Sequence, residues 1–358
     1  MISVPATARI LLRNTPRNSA PSLLRSAPSV VRLTQNKHSI RRFHVHNQTP
    51  AVHFAQSKKM STKSAAAASH AELNRSSLFD MKGRVALVTG GGSGIGLMAT
   101  QALAVNGAKV YITGRNKEKL DRVVEIYNKD IEGEIIPIQG DVTDKESLKK
   151  LYDEISSREK CLCILINNAG VSGGTVSTES KTAEEMKKNL FDAEGSTFED
   201  WTSTYKTNVA GNYFTTAVFL PLLQKSSELH PGWSGTVINI SSISGQVKSA
   251  QHHFSYNASK AAAVHLTRML SAEIAQNGHK IRVNSIAPGV FPSEMTADES
   301  DEYQKSHLDK EKYADKVPAG RPGKDTDMAQ AVLFFAANQY LNGQTVSIDG
   351  GYTIAAGM

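Results

Sequence analysis

The stretch "RVALVTGGGSGIGLMATQALAVNGAKVYITGRN" runs from a Val-rich apolar segment into a cluster of glycines, then an Ala- and Leu-rich helical pattern, then a second apolar segment. No other part of the chain restricts the fold as much. Two short apolar runs joined through a helix lie parallel, because a crossover of this length returns the chain to the same sheet in the same direction. Gly90, Gly94 and Gly96 remove side chains from the turn into the helix, together with Ser93 and Ile95. There the backbone bends tightly, and a pyrophosphate could meet the free N–H groups of the first helical turn. Glycines alone can serve only a structural turn, but glycines after a strand and before an apolar helix read as a dinucleotide-binding βαβ unit.

The alternation continues. "RVALVTG", "AKVYITG", "EIIPIQGDV", "LCILINNAG", "GTVINISS", "IRVNSIAPG" and "QTVSIDGG" are short, mostly rich in Val and Ile, and closed by Gly, Asn or Ser, with helical patterns between them. Such a series predicts an α/β fold: a Rossmann-type, doubly wound, seven-stranded parallel sheet with helices on both faces. It forms one domain over residues 80–358. One connection is unusually long, the polar and charged segment between Gly170 and Asn208, and is read as a surface excursion or a lid.

The formal charge of +7 does not belong to this body. Eleven of the 41 Lys and Arg residues fall between Met1 and Ala71, a stretch with no Asp or Glu. Removing those eleven leaves 30 basic against 34 acidic residues, a net charge of −4 for the rest. A nucleic-acid partner, which calls for clustered positive charge on the folded part, is not expected. Residues 1–43, rich in Arg and Ser and free of acid, have the composition of a mitochondrial transit peptide, with Arg41 placed for a cut after Phe43. That predicts a matrix protein. A plain basic tail is the other reading, and "KKMSTKS" offers Met60 as an internal start for a cytoplasmic form. Residues 44–79 are read as a disordered linker. No apolar run reaches the ~18 residues of a membrane span, so no membrane partner is expected.

Cys161 and Cys163, the only two cysteines, alternate with apolar residues in "CLCILINNAG". They read as buried free thiols, since a disulfide or zinc site calls for other spacing or more ligands. His252 and His253 read equally as pocket lining or as a solvated pair, and no metal site is expected.

Two features bear on chemistry. The second strand of the glycine unit ends in "ITGRN", where a 2′-hydroxyl site would place an acid. Arg115 stands there instead, and its guanidinium suits a 2′-phosphate, so NADP(H) is the expected cofactor unless Arg115 is only a surface residue. In "SYNASKAAAVHLTRML", Tyr256 and Lys260 sit at i and i+4 on one helix face, about 6 Å apart at Cβ. A phenol with an ordinary pKa of ~10 is drawn toward the operating range by a neighbouring ammonium, and it then exchanges a proton more readily. Upstream, a strand runs into Ser241 and Ser242, where a hydroxyl would hydrogen-bond a carbonyl oxygen as charge develops on it. Asn208, in "YKTNVAGNYF", falls within a helical pattern.

Taken in order, "TGGGSGIG" (Thr89 to Gly96), "GDV" (Gly140 to Val142), "NNAG" (Asn167 to Gly170), Asn208, Ser242, "YNASK" (Tyr256 to Lys260) and "APGVFPSEMT" (Ala287 to Thr296) resemble the short-chain dehydrogenase/reductase family in its single-domain form. The resemblance runs from about Phe79 to Tyr352. It implies that Tyr256 is the general acid, that Ser242 positions the carbonyl, that Lys260 tunes the tyrosine and binds ribose, and that Asn208 supports a proton-relay water. It places Asp141 and Val142 at the adenine and Asn168 at the ribose. The loop of Pro288, Gly289, Phe291 and Ser293 falls at the carboxamide, with Ser293 where Thr is common. Ser242 and Tyr256 are fourteen apart, one more than in many members, which leaves Ser241 open as the carbonyl ligand.

The implied reaction is reduction of a small-molecule ketone to a secondary alcohol. "NISSISG" and "RVNSIAPGVFPSEMT" look most like rhamnolipid-pathway-type 3-oxoacyl reductases, which suggests a 3-oxoacyl thioester. Another ketone or alcohol, polyketide or steroid-like, is the second reading, and a catalytically silent NADP-binding scaffold the third. The family implies a homotetramer, or failing that a homodimer.

Overall fold

Each of the seven apolar runs contains one strand: β1 (Val85–Thr89), β2 (Lys109–Gly114), β3 (Glu134–Gln139), β4 (Ile164–Asn167), β5 (Gly235–Ile240), β6 (Ile281–Pro288) and β7 (Thr345–Ile348). They form one sheet in the order β3-β2-β1-β4-β5-β6-β7, every pair parallel. The structure, a computed structural model, describes residues 62–297 and 299–358. The expected transit peptide and the alternative start at Met60 lie outside the described residues.

The two-residue period of a strand divides the core into two layers. From β1, Ala86 and Val88 join one layer, Val85 and Leu87 the other. The first layer is covered by α3 (Gly94–Val105), α4 (Lys117–Tyr127) and α12 (Asp325–Ala337), which contribute Leu97, Leu120 and Phe335. The second is covered by α5 (Lys145–Arg158), α8 (Asn212–Leu229) and α9 (Phe254–Gln276), which contribute Ile155, Phe219 and Ile274. The central strands β1, β4, β5 and β6 are thus buried on both sides, which is why their runs are continuously apolar, whereas the edge strands β3 and β7 keep exposed positions. Truncating a fully buried ring such as Phe219 to Ala would cost about 3–5 kcal/mol.

Two stretches differ from the sequence reading. Within the supposed linker lie α1 (Thr62–Glu72) and α2 (Arg75–Leu78), neither with a buried residue. α1 is "TKSAAAASHAE", and its Ala content supplies helix propensity where no side chain is buried. The long excursion holds α6 (Ala183–Phe191) and α7 (Phe198–Tyr205), each started by a threonine. The Thr182 hydroxyl accepts from Glu185 N–H and the Thr197 hydroxyl from Asp200 N–H, both at 3.1 Å. "TAEE" and "TFED" are the corresponding sequence signals. The three shortest remaining helices are α10 (Glu294–Ala297), α11 (Glu311–Ala314) and α13 (Tyr352–Ala356). Among the described residues no helix is long and apolar enough to cross a membrane.

Candidate active site

The strand order reverses between β1 and β4, and there the C-terminal ends of the strands diverge and open a cleft. It is a cavity of about 410 Å³. The turn from β1 into α3 forms its floor. Gly90 and Gly94 have φ of +65° and +51°, which disfavours side chains. At Gly96 a Cβ would lie 2.0 Å from the Gly90 carbonyl oxygen, so the helix can approach the turn only without one. Ser93, the residue before α3, makes no side-chain cap bond, and the first-turn N–H groups of α3 look into the cavity beside Gly90, Gly94 and Ile95. That cradle, with first-turn donors lacking intrahelical partners and no Cβ at Gly90 and Gly94, fits a dinucleotide pyrophosphate. Gly96 itself stands behind the floor.

β4 is stapled to this turn. The Asn168 side-chain amide donates to the Thr89 and Gly90 carbonyls at 2.9 and 3.1 Å, and the Asn168 and Ala169 N–H groups donate to the Thr89 hydroxyl at 3.0 and 3.1 Å. Asn168 borders the cavity as the sequence implies, yet its amide N–H groups are taken up by the loop, so its first work is to hold the glycine turn.

At the other end of the cavity stand Arg115, Asp141 and Val142. Arg115 is exposed at the tip of β2, with its head group free to meet a ligand. Partial burial would raise the Asp141 carboxyl, but the Thr143 N–H and hydroxyl, both at 2.8 Å, and the positive charges of Arg115 and Lys206 bring it below the ordinary range. Lys119 of α4 also lines this end and pairs with Glu294 of α10 across the cleft. The sequence reading missed that pair because nothing local links residues so far apart. Opposite, Pro288, Gly289, Phe291 and Ser293 form the wall after β6. The Phe291 ring is buried in the core, leaving only its backbone to face a ligand. Thr296 fixes the turn: its hydroxyl donates to the Phe291 carbonyl at 2.7 Å and accepts from Ser293 N–H at 3.0 Å.

Ser242, Tyr256 and Lys260 meet in the middle of the same cavity. Ser241 is set apart from Ser242 by its bonds, since its hydroxyl is engaged with the Ser285 hydroxyl at 2.7 Å and the Ile286 carbonyl at 3.1 Å. Ser242 accepts from Ser244 N–H at 3.1 Å and hydrogen-bonds the Tyr256 phenol. Between the short 3₁₀ turn Ile243–Gly245 and α9 the chain turns sharply, with Gln251 and His252 at φ of 51° and 69°.

The electrostatics differ from the sequence expectation. Burial raises the Tyr256 phenol, and the Ser242 bond only partly offsets this. The Lys260 ammonium lies 5.5 Å from the centre of the tyrosine ring and donates its hydrogen bond to the Ile240 carbonyl at 3.0 Å. Its own pKa is brought down by burial to about 8. In this state Tyr256 is a protonated acid at neutral pH.

Asn208 lies behind the cavity wall and is fully buried. Its side chain is doubly bonded to the Val171 backbone, both contacts at 2.9 Å, and donates to the Ser259 hydroxyl at 2.9 Å. The residue occupies a π-helical turn, Lys206–Gly211, a local widening that often accompanies functional sites. With its side chain committed to protein and its carbonyl accepting from the Asn212 amide at 3.0 Å, Asn208 acts as a positioning residue.

The excursion is docked rather than free. Asp200 of α7 accepts from Gly174 N–H at 2.6 Å and from the Ser255 hydroxyl at 2.7 Å, the residue just before Tyr256. Val176 N–H donates to the His252 carbonyl at 2.9 Å. His252 is exposed and faces Glu179 at 3.6 Å, while His253 is half-buried with its ring centre 6.3 Å from that of Tyr256.

Residues 84–304 match the family model described as short chain dehydrogenase. The chain is 40% identical over 282 residues to the short-chain dehydrogenase/reductase PhomF of Diaporthe leptostromiformis, covering 76% of this chain and 92% of that one. It is 32% identical over 276 residues to the rhamnolipids biosynthesis 3-oxoacyl-[acyl-carrier-protein] reductase of Pseudomonas aeruginosa, covering 76% and 98%. A solved Pseudomonas aeruginosa structure, the RhlG/NADP active-site complex, superposes with a TM-score of 0.62 at 30% identity, covering 77% of this chain and 98% of that one.

Proposed function

The chain belongs to the short-chain dehydrogenase family and is an oxidoreductase that binds a nicotinamide cofactor; on that premise we propose that it uses NADPH to reduce a ketone, with a 3-oxoacyl thioester as the substrate class. The observation that carries the proposal is the meeting of Ser242, Tyr256 and Lys260 in the cavity that also holds the glycine turn. When bound, NADPH supplies the hydride for the carbonyl carbon. The Ser242 hydroxyl donates a hydrogen bond to the carbonyl oxygen, and Tyr256, kept protonated by burial, delivers its proton to that oxygen as charge develops. A solvent proton then restores the phenol. Lys260, with its pKa near 8, exchanges protons close to physiological pH and so assists that return.

Arg115 supports the choice of NADP(H) over NAD(H), because a guanidinium at the end of β2 favours a 2′-phosphate and no acid there favours the 2′-hydroxyl. Likeness to the rhamnolipid-pathway reductase supports the thioester. The test is NADPH oxidation by the purified protein with short 3-oxoacyl thioesters and simple diketones. A thioester-dependent rate is expected. A rate on ketones but not thioesters would move the substrate to another secondary alcohol, and no rate on any carbonyl despite NADPH binding would favour a silent scaffold. The composition of residues 1–43 supports delivery to the mitochondrial matrix, and we assign the assembly as a homotetramer, to be read by sedimentation; a monomer in solution would overturn that assignment.

A further inference from the structure

At the amino-terminal edge of the sheet, away from the cavity at the strands' C-terminal ends, the fold completes a ligand set that the two cysteines lack in sequence. Cys161 and Cys163 precede and open the β4 region with their side chains on one face, both in the same core layer. His230, sixty-nine residues beyond Cys161, ends α8 and turns its imidazole to them. The sulfurs are 3.9 Å apart, and His230 Nε2 lies 3.7 Å from the Cys161 sulfur. All three donor atoms lie within 4.8 Å of one another. We propose that Cys161, Cys163 and His230 bind one thiophilic cation of the Zn²⁺ class.

The spacing fits that ion. With metal–sulfur and metal–nitrogen distances of ~2.3 and ~2.0–2.1 Å, a tetrahedral centre holds two sulfurs about 3.8 Å apart and a sulfur and nitrogen about 3.6 Å apart. Two of the three separations are within 0.2 Å of these values, and the third, between the Cys163 sulfur and His230, is at most 4.8 Å, so the imidazole has to swing toward Cys163 to close the site. The donor set of two thiolates and an imidazole is soft, which selects Zn²⁺ over Mg²⁺ or Ca²⁺. Binding converts two thiols to thiolates, and both protons leave to solvent. The buried Ser226 hydroxyl, which has no hydrogen-bond partner, is near enough to Cys163 to favour its thiolate once a metal binds. Arg84 and Glu159, of opposite sign, are the charged groups that act on Cys161. The cysteines are buried but His230 is only partly so, which leaves entry and the fourth position on the solvent side. The bound ion would fasten the start of β4 to the end of α8.

The test is Co²⁺ and Zn²⁺ titration of the reduced full-length protein. The chain has two cysteines in all, so any thiolate-to-cobalt charge-transfer band reports this site and not the histidines elsewhere. One equivalent of Co²⁺ should give that band with the visible spectrum of a tetrahedral ion, and one Zn²⁺ should displace it. His230→Gln, at a half-buried position, should fold, bind NADPH normally and weaken the metal by at least ~10-fold. Cys161→Ser should reduce the charge-transfer intensity. Absence of the band at stoichiometric Co²⁺, or equal affinity in His230→Gln and the unaltered protein, would overturn the proposal.

Discussion

Replacing Lys260 with Met should stabilise the protein while abolishing its reaction. The side chain is 4% exposed, and its ammonium has one protein acceptor, the Ile240 carbonyl. Burial takes its pKa from 10.5 to about 8, a cost to the folded state of about 3 kcal/mol at pH 7, where the group is charged both folded and unfolded. Met removes that cost but leaves the Ile240 carbonyl without its donor, which costs about 1–3 kcal/mol. The balance at pH 7 is therefore about 0–2 kcal/mol in favour of Lys260→Met. The sign of the pH dependence is opposite to that of a lysine in an ion pair. Above pH 8 the folded lysine loses its proton while the unfolded one keeps it, so the unfolded chain binds more protons and the unaltered protein gains stability, about 1.4 kcal/mol per pH unit. Between pH 8 and 9.5 it should gain about 2 kcal/mol that the variant cannot. Urea unfolding without cofactor, at one protein concentration and at pH 7 and 9.5, reads both stabilities. A difference between the two proteins that stays constant from pH 7 to 9.5 would refute the claim that Lys260 is a buried, cost-bearing ammonium.

Further substitutions separate the parts of the site. Arg115→Ala should raise KM for NADPH by about 10-fold or more, the worth of a charge-assisted bond, with little effect on NADH; equal effects on both cofactors would remove Arg115 from the 2′-phosphate. Asp200→Ala strips a partner from Gly174 N–H and from the Ser255 hydroxyl, so it should lower thermal stability and raise KM for the carbonyl several-fold, leaving KM for NADPH unchanged; a changed KM for NADPH alone would contradict the docking of the excursion beside the substrate. Residues 1–43 fused to a fluorescent reporter should carry it to mitochondria, and a diffuse cytosolic signal would count against a transit peptide.

The central strands were legible because a sheet covered on both faces needs continuous apolar runs there, and the edge strands β3 and β7 because Val and Ile still mark them and turn-forming residues follow. The glycine turn was legible for a similar reason: at Gly96 no side chain can be accommodated, so the sequence has to record the constraint. α6 and α7 were not read because they are short and bury almost nothing, only Thr204 in α7, so they stood out little from a polar and charged segment, although "TAEE" and "TFED" carried the starting signals. The Tyr256–Lys260 spacing correctly predicted proximity, but the direction of the tyrosine shift depends on burial by distant segments, which spacing does not encode. Ser242 and Ser241 could be told apart only once Ser285 was seen beside one of them. Lys119 with Glu294, and His230 with Cys161, are likewise joined by the sheet topology and not by any local pattern.

The central claim, that Tyr256 delivers the proton in an NADPH-dependent reduction, is tested most directly by Tyr256→Phe. NADPH binding and turnover are measured side by side with the best carbonyl substrate. Removing only the phenol oxygen should leave the dissociation constant for NADPH unchanged and lower kcat by about 10²–10⁴-fold, the usual contribution of a positioned general acid. Turnover within a few-fold of the unaltered protein, with NADPH still bound, would contradict the assignment.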